Sequence, residues 1–248
     1  MKDSKEKFVN FINRNGKIIR GFSCFLIIYG ILFGCIFMNV KVPTASMDPT
    51  IAAGTRLVGE RVAYNNHDVE RKDVIMFRYP DYEKAMFVKR VIGLPGETVS
   101  VIKGNVYING KKLNEQYLAN DHTGDYGPYY IPKAGDEVRV ANAKYDKDGS
   151  LISGSCFIGK YQVGEVEFST TYDANGEILK NSSEPGFIGK YCEKKNGKYY
   201  VKSDCYFCMG DNRDNSDDSR FWNNHYVTKE KIRCKLILNV SGGFKKIV

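Results

Sequence analysis

The stretch "DVIMFRYPDYEKAMFVKRVIGLPGETVSVIKGNVYING", residues 73–110, decides the fold. Apolar and polar residues alternate in short runs rich in Val, Ile, Phe and Tyr, and Gly, Pro and Asn separate the runs. Strands are expected at 73–79, 85–93 and 98–110, with "LPGE" (94–97) and "NG" (109–110) as turn signals. The same texture recurs at 55–64 on one side and at 198–208 and 231–240 on the other. Between them, residues 111–197 are rich in Gly, Tyr, Asn and Lys and carry weaker apolar runs. That segment reads as an inserted β-rich domain, splitting an antiparallel β core into a first part, 41–110, and a second, 198–248.

Ahead of the strands, "GFSCFLIIYGILFGCIFMNV" (21–40) runs twenty residues without a charge. As a helix it spans roughly 30 Å, the thickness of a hydrocarbon core. A cleaved secretory signal has an apolar part of only about 7–15 residues. No small-x-small cleavage pattern directly follows the span, so a retained transmembrane anchor is expected over 21–40. Six basic residues precede it (Lys2, Lys5, Lys7, Arg14, Lys17, Arg20), whereas the next twenty residues hold Lys41 and Arg56 alone. This asymmetry places residues 1–20 in the cytoplasm and the rest outside. Lys+Arg of 37 against Asp+Glu of 29 gives +8, which suits a membrane surface or nucleic acid equally. The apolar span favours the membrane and argues against a nucleic-acid partner. The fold class expected is therefore mostly β, one transmembrane helix followed by an antiparallel core with an insertion.

Seven cysteines are too few and too scattered for a disulfide scaffold. "CYFC" (205–208) has redox or zinc spacing, but no second Cys or His pair follows at a matching distance. A strand carrying two small apolar residues is the simpler reading, and neither a metal nor a cofactor is implied.

Three stretches carry candidate chemistry. "MGDNRDNSDDSRFW" (209–222) packs Asp211, Asp214, Asp217 and Asp218 around Arg213 and Arg220. Counted as a calcium loop from Asp211, position 3 is Arg213, a cation where a ligand should stand. Internal carboxylate–guanidinium pairing suits the stretch better. "VPTASMDPTI" (42–51) places Thr44, Ser46 and Thr50 between two prolines, just past the apolar span. Ser46 lies at most about 20 Å from the membrane edge by extended-chain reach. In "AMFVKRVIGLPGE" (85–97), strand alternation puts Lys89 on one face with Phe87 and Val91. A desolvated lysine loses its proton more easily and can act as a base toward a serine hydroxyl. The commoner state is a packed stem with the amine at water. His67, His122 and His225 sit in poor positions for a base, and the third residue after Ser46 is Pro49, which excludes a Ser-x-x-Lys arrangement.

In order, the anchor, "SMDPT", "KDVIMFRYP", "KRVIGLPGE" and "GDNRDNSDDSR" resemble the bacterial type I signal peptidases, membrane-anchored serine proteases with a Ser–Lys dyad. The matching blocks cover roughly residues 42–118 and 199–240; 119–198 matches hardly at all. The resemblance implies Ser46 as nucleophile and Lys89 as general base, with Thr44 and the Ser46 N–H forming the oxyanion hole. It implies that Ser216 hydrogen-bonds and orients Lys89, that Arg90 pairs with Asp211 and Asp218 with Arg220, and that Met47 packs beside the nucleophile. Asp217 departs from the pattern, standing where a small residue is common. The expected substrate is the signal peptide of a secretory pre-protein, cut after small residues at −1 and −3 and bound as an added strand beside 42–46 and 86–89. The partners expected are the bilayer and the translocation machinery, with the insertion contacting one or the other, and a monomer is the default state. Two competing readings are a repressor-type Ser–Lys protease, which would carry a DNA-binding domain, and a non-catalytic tethered module, which would lack Ser46 or Lys89.

Overall fold

The computed structural model describes residues 2–82, 84–118, 122–167, 186–241 and 245–247. Parts of the expected insertion, 119–121 and 168–185, thus lie outside the described residues. A helix, α1 (Lys2–Ile36), leads the chain, and its segment Arg14–Ile36 is long and apolar enough to cross a membrane. The apolar run does not stay helical to residue 40. Its last four residues open the first strand, because Phe37–Lys41 find a partner strand in register Phe37↔Glu60 to Lys41↔Arg56.

The early strands are β1 (Phe37–Lys41), β2 (Arg56–Glu60), β3 (Val74–Arg78) and β4 (Met86–Gly93). Next come β5 (Thr98–Ile102), β6 (Asn105–Ile108), β7 (Lys111–Lys112) and β8 (Tyr126–Tyr130), which pair among themselves as a second sheet in the order β7-β6-β5-β8. A third sheet holds β9 (Glu137–Tyr145), β10 (Leu151–Ile158), β11 (Tyr161–Glu167), β12 (Cys192–Lys195) and β13 (Lys198–Val201), in the order β11-β10-β9-β13-β12. The short helix α2 (Phe187–Tyr191) precedes β12. The chain then returns to the first sheet with β14 (Cys205–Met209), β15 (Val227–Thr228), β16 (Ile232–Asn239) and β17 (Lys245–Lys246). The order there is β1-β2-β16-β3-β4-β14-β15, every pairing antiparallel, with β17 against β16. The mostly antiparallel β class expected from the alternation is what forms.

Strand β3 shows why this sheet is buried on both faces. Val74 and Met76 pack with Val40, Met47, Ile51, Leu57 and Leu236, while Ile75 and Phe77 pack with Val91, Tyr206, Cys208 and Trp222. A strand covered on both sides needs the continuous apolar run that "VIMF" supplies. "CYFC" is β14, both its cysteines are buried, and every described cysteine is a free thiol. The register also fixes height in the sheet. Phe37, the first residue past α1, lies in one row with Glu60, Lys235, Ile75 and Lys89.

Candidate active site

The turn after β1 brings Ser46 to Lys89 of β4. Lys89 Nζ donates to Ser46 Oγ at 2.8 Å, and both side chains are buried, with 4% and 8% exposure. Alternation places Lys89 with Phe87 and Val91, and its Nζ stands 5.5 Å from the Phe87 ring centroid. Burial pushes the Lys89 ammonium below the ordinary lysine value of 10.5, while the carboxylates of Asp218 and Asp217 pull the other way. A buried amine with no counter-ion in direct contact favours its neutral form. Thr44 Oγ1 lies 3.4 Å from Ser46 Oγ and is exposed, on the open side of the turn. Met47 is fully buried beneath it.

The turn is held from behind by the loop after β14. The Asn212 N–H donates to Ser46 O at 3.1 Å, and Asn212 Nδ2 to Ala45 O at 3.1 Å. Thr50 Oγ1 donates to Asp211 Oδ2 at 2.6 Å. Arg90, the neighbour of Lys89 and wholly buried, donates from Nε and Nη2 to the two oxygens of Asp211 at 2.8 and 2.7 Å. Its Nη1 reaches Lys72 O at 2.8 Å, and its guanidinium stacks 4.0 Å from the centroid of Tyr117. Asp218 takes Arg220 Nε and Nη2 at 2.8 and 2.9 Å and also the Gly210 N–H at 3.0 Å. Arg213 is buried against Glu115. These are forked, charge-assisted contacts, which fix direction as well as distance. Asp214 and Asp217, by contrast, are exposed. The stretch is therefore knotted at two of its aspartates and solvated at the other two.

Ser216 does not make the contact with Lys89 that the resemblance implies. Its hydroxyl is buried without a hydrogen-bond partner among the described residues. That hydroxyl lies over Gly210 instead, where an ideal Cβ would fall 2.2 Å from Ser216 Oγ. Four contributors escaped sequence reasoning: Asn212, Gly210, Glu115 and Tyr117. Asn212 and Gly210 lie inside the loop already singled out. Glu115 and Tyr117 carry no local signal, because their partners Arg213 and Arg90 stand far along the chain. Among the described residues no group of three or more His, Cys, Asp or Glu could hold a metal ion.

The profile of one family, described as signal peptidase, peptidase S26, matches residues 16–240. The chain belongs to the peptidase S26 family of signal peptidases. It is accordingly a peptidase, a hydrolase of the signal peptidase I kind. A signal peptidase I of Aquifex aeolicus is 31% identical over 219 residues, covering 85% of this chain and 79% of that one. A probable signal peptidase I-2 of Synechocystis is 43% identical over 158 residues, covering 58% of this chain and 71% of that one. A crystal structure of a signal peptidase I from Enterococcus faecalis superposes with a TM-score of 0.35 at 23% identity, covering 68% of this chain and 97% of that one. The S26 match runs from within α1 to just past β16, so its range includes Ser46, Lys89, the loop after β14 and the second and third sheets.

Proposed function

We propose that this signal peptidase cuts signal peptides from secretory pre-proteins after small residues at −1 and −3, with Ser46 as nucleophile and Lys89 as general base. One observation carries the reading: a buried lysine amine 2.8 Å from a serine hydroxyl. The protonated amine donates to Ser46 Oγ. Once neutral, it accepts the hydroxyl proton across the same separation. Ser46 Oγ then attacks the scissile carbonyl, and the oxyanion takes hydrogen bonds from Thr44 Oγ1 and the Ser46 N–H. Collapse expels the amine, which receives the proton from Lys89, and leaves an ester on Ser46. Lys89 next takes a proton from water, the hydroxide attacks the ester, and the Ser46 oxygen recovers its proton from the ammonium.

A binding edge is available for an extended peptide. The β14 ladder stops at Met209↔Arg90, so Met86–Lys89 of β4 have strand β3 on one side and, among the described residues, no strand on the other. A substrate strand laid there would run between β4 and the 42–46 turn. The anchor is α1, with its N-terminus cytoplasmic and the sheets outside, on the basic asymmetry flanking it. The chain acts as a monomer against the bilayer and, through its inserted sheets, the translocation machinery.

The test uses detergent-solubilised wild type, Ser46→Ala and Lys89→Ala with a precursor bearing Ala at −1 and −3, and mass spectrometry of the new N-terminus. A cut after the −1 Ala by the wild type alone is expected. Cutting that survives either substitution moves the chemistry to other residues, and no cutting by any form sinks the substrate assignment.

A further inference from the structure

The first sheet has a basic cleft at one end that the peptidase chemistry leaves unused. Between the C-terminal end of β3, the start of β16 and the segment joining β13 to β14 lies a cavity of about 560 Å³. Arg78, Lys190, Lys202, Lys231 and Arg233 line it, against the two carboxylates of Asp81 and Glu230. Asp81 accepts the backbone N–H groups of Asn223 and Asn224 at 3.0 and 3.2 Å and pairs with Lys190 Nζ at 3.6 Å. Arg78, Lys202 and Arg233 are exposed. Three positive charges in excess around one concavity focus a field that draws in an anion.

Position says which anion. Phe37, Glu60, Lys235, Ile75 and Lys89 form one row across the sheet, and α1 leaves from the Phe37 end of that row. Arg233 adjoins Ile232, which pairs with Phe77, and Arg78 pairs with Met86; both arginines lie beyond the row on the side where the helix departs. Exposed apolar residues gather at the same end: Val62 follows β2, Tyr82 lies in the β3–β4 turn, and Met86 begins β4. Basic clefts flanked by exposed apolar and aromatic side chains, next to a membrane-spanning helix, match the charge and depth profile of a lipid headgroup layer.

We propose that this cleft binds the phosphate of an anionic phospholipid headgroup and so seats the helix-side end of the sheet on the bilayer. This rests on α1 being the anchor, and is independent of the roles given to Ser46 and Lys89. The guanidinium groups of Arg78 and Arg233 contact the phosphate oxygens, and Lys202 closes the outer rim.

The test titrates the full detergent-solubilised chain with dihexanoylphosphatidylglycerol, dihexanoylphosphatidylcholine, glycerol phosphate, inorganic phosphate and a polyglutamate peptide, reading Kd by calorimetry. Saturable binding is expected for the phosphatidylglycerol alone. Arg78→Gln and Arg233→Gln should each weaken it about fivefold, and the pair about thirtyfold. Lys202→Gln should weaken it independently. Lys147→Gln, on an exposed turn elsewhere, should leave it unchanged. Equal binding of the choline lipid, an unaffected double variant, or an equal effect of Lys147→Gln would overturn the proposal. So would inorganic phosphate binding as tightly, which marks a free-anion site, or tighter polyglutamate binding, which marks a protein-docking surface. Ser46→Ala is expected to bind the lipid as the wild type does, so a failed peptidase reading leaves this result standing. Release of wild type from membranes by alkaline carbonate would refute the anchor, separately from the Kd.

Discussion

Gly210 sits where β14 passes into the ion-paired loop, and space is what requires it. An ideal Cβ there falls 2.4 Å from the Ser46 carbonyl oxygen and 2.2 Å from Ser216 Oγ, whereas real Cβ contacts stay beyond 3.0 Å. The Ser216 hydroxyl can rotate away, though the Ser216 Cβ, at 2.6 Å, cannot. The Ser46 carbonyl cannot yield without moving the nucleophile's own backbone, which the Asn212 N–H grips at 3.1 Å. Gly210→Ala therefore shifts Ser46 by a large part of an ångström relative to Lys89, and a misplacement near 1 Å costs about 10²-fold in rate. Overpacking of this kind also costs about 1–3 kcal/mol of stability. The assay is hydrolysis of a fluorogenic peptide spanning a signal-peptide junction, with thermal unfolding followed in the same detergent. The loss is expected mainly in kcat. Gly210→Ala/Ser216→Gly removes the whole Ser216 side chain from the clash and keeps the carbonyl contact, so it should stay slow. A single variant within about threefold of wild type would refute the steric argument. Recovery in the double variant would place the whole effect on the Ser216 side chain.

Thr44→Val is expected to lower kcat by about 10²-fold while leaving the affinity for an uncleaved peptide unchanged; an undiminished kcat would remove Thr44 from the oxyanion hole. With neutral Lys89 as the proposed base, kcat/KM should rise with pH and level off below 10.5, the ordinary lysine value; an acid limb centred on that value would show that burial leaves the amine unshifted. The same lysine sets a stability trend. Its proton leaves earlier in the fold than in the unfolded chain, so its own contribution to stability grows as pH approaches 10.5. Buried thiols pushed up by desolvation, such as Cys156 and Cys234, act the other way, so the trend is read as the stability of wild type minus that of Lys89→Met, which should be inactive; a difference that does not grow with pH in denaturant melts would contradict the shift. Arg90→Ala strands the buried Asp211 carboxylate and should cost about 3–5 kcal/mol, whereas Arg90→Met/Asp211→Leu should cost less; equal melting temperatures for the two would contradict the pairing argument.

Strands β2, β3, β4 and β16 of the first sheet fall inside the runs at 55–64, 73–79, 85–93 and 231–240, since a two-residue period with turn residues between runs is a local property, whereas β1, β15 and β17 carry no such run of their own. Which strands pair is not local. Nothing in 98–112 or 198–201 distinguishes them from the strands of the first sheet, yet they pair in the second and third. The end of α1 was hidden for a related reason: the apolar run continues from helix into β1, and composition alone does not say where the helix hydrogen bonds give way to a ladder. At the site, the serine, the lysine and the loop aspartates stood out by residue type and spacing. Glu115 and Tyr117 did not, because a single acid and a single tyrosine in a polar segment look like surface until the fold delivers an arginine to each. The Ser216 hydroxyl lies over Gly210, a question of packing that no pattern in the chain encodes.

Strand β16 runs between β2 and β3, in the middle of the sheet that carries the candidate dyad. Ser46 and Lys89 leave the ribosome long before it does. At about 5–20 residues per second, the stretch from Lys89 to Asn239 takes on the order of ten seconds to make. At the start of that interval both side chains of the proposed dyad exist, but the strand that joins β2 to β3 and the loop that grips Ser46 do not. A nascent chain therefore carries the proposed pair without the sheet that would hold it, and Ser46 meets Lys89 in a closed sheet only once β14 and β16 have been made.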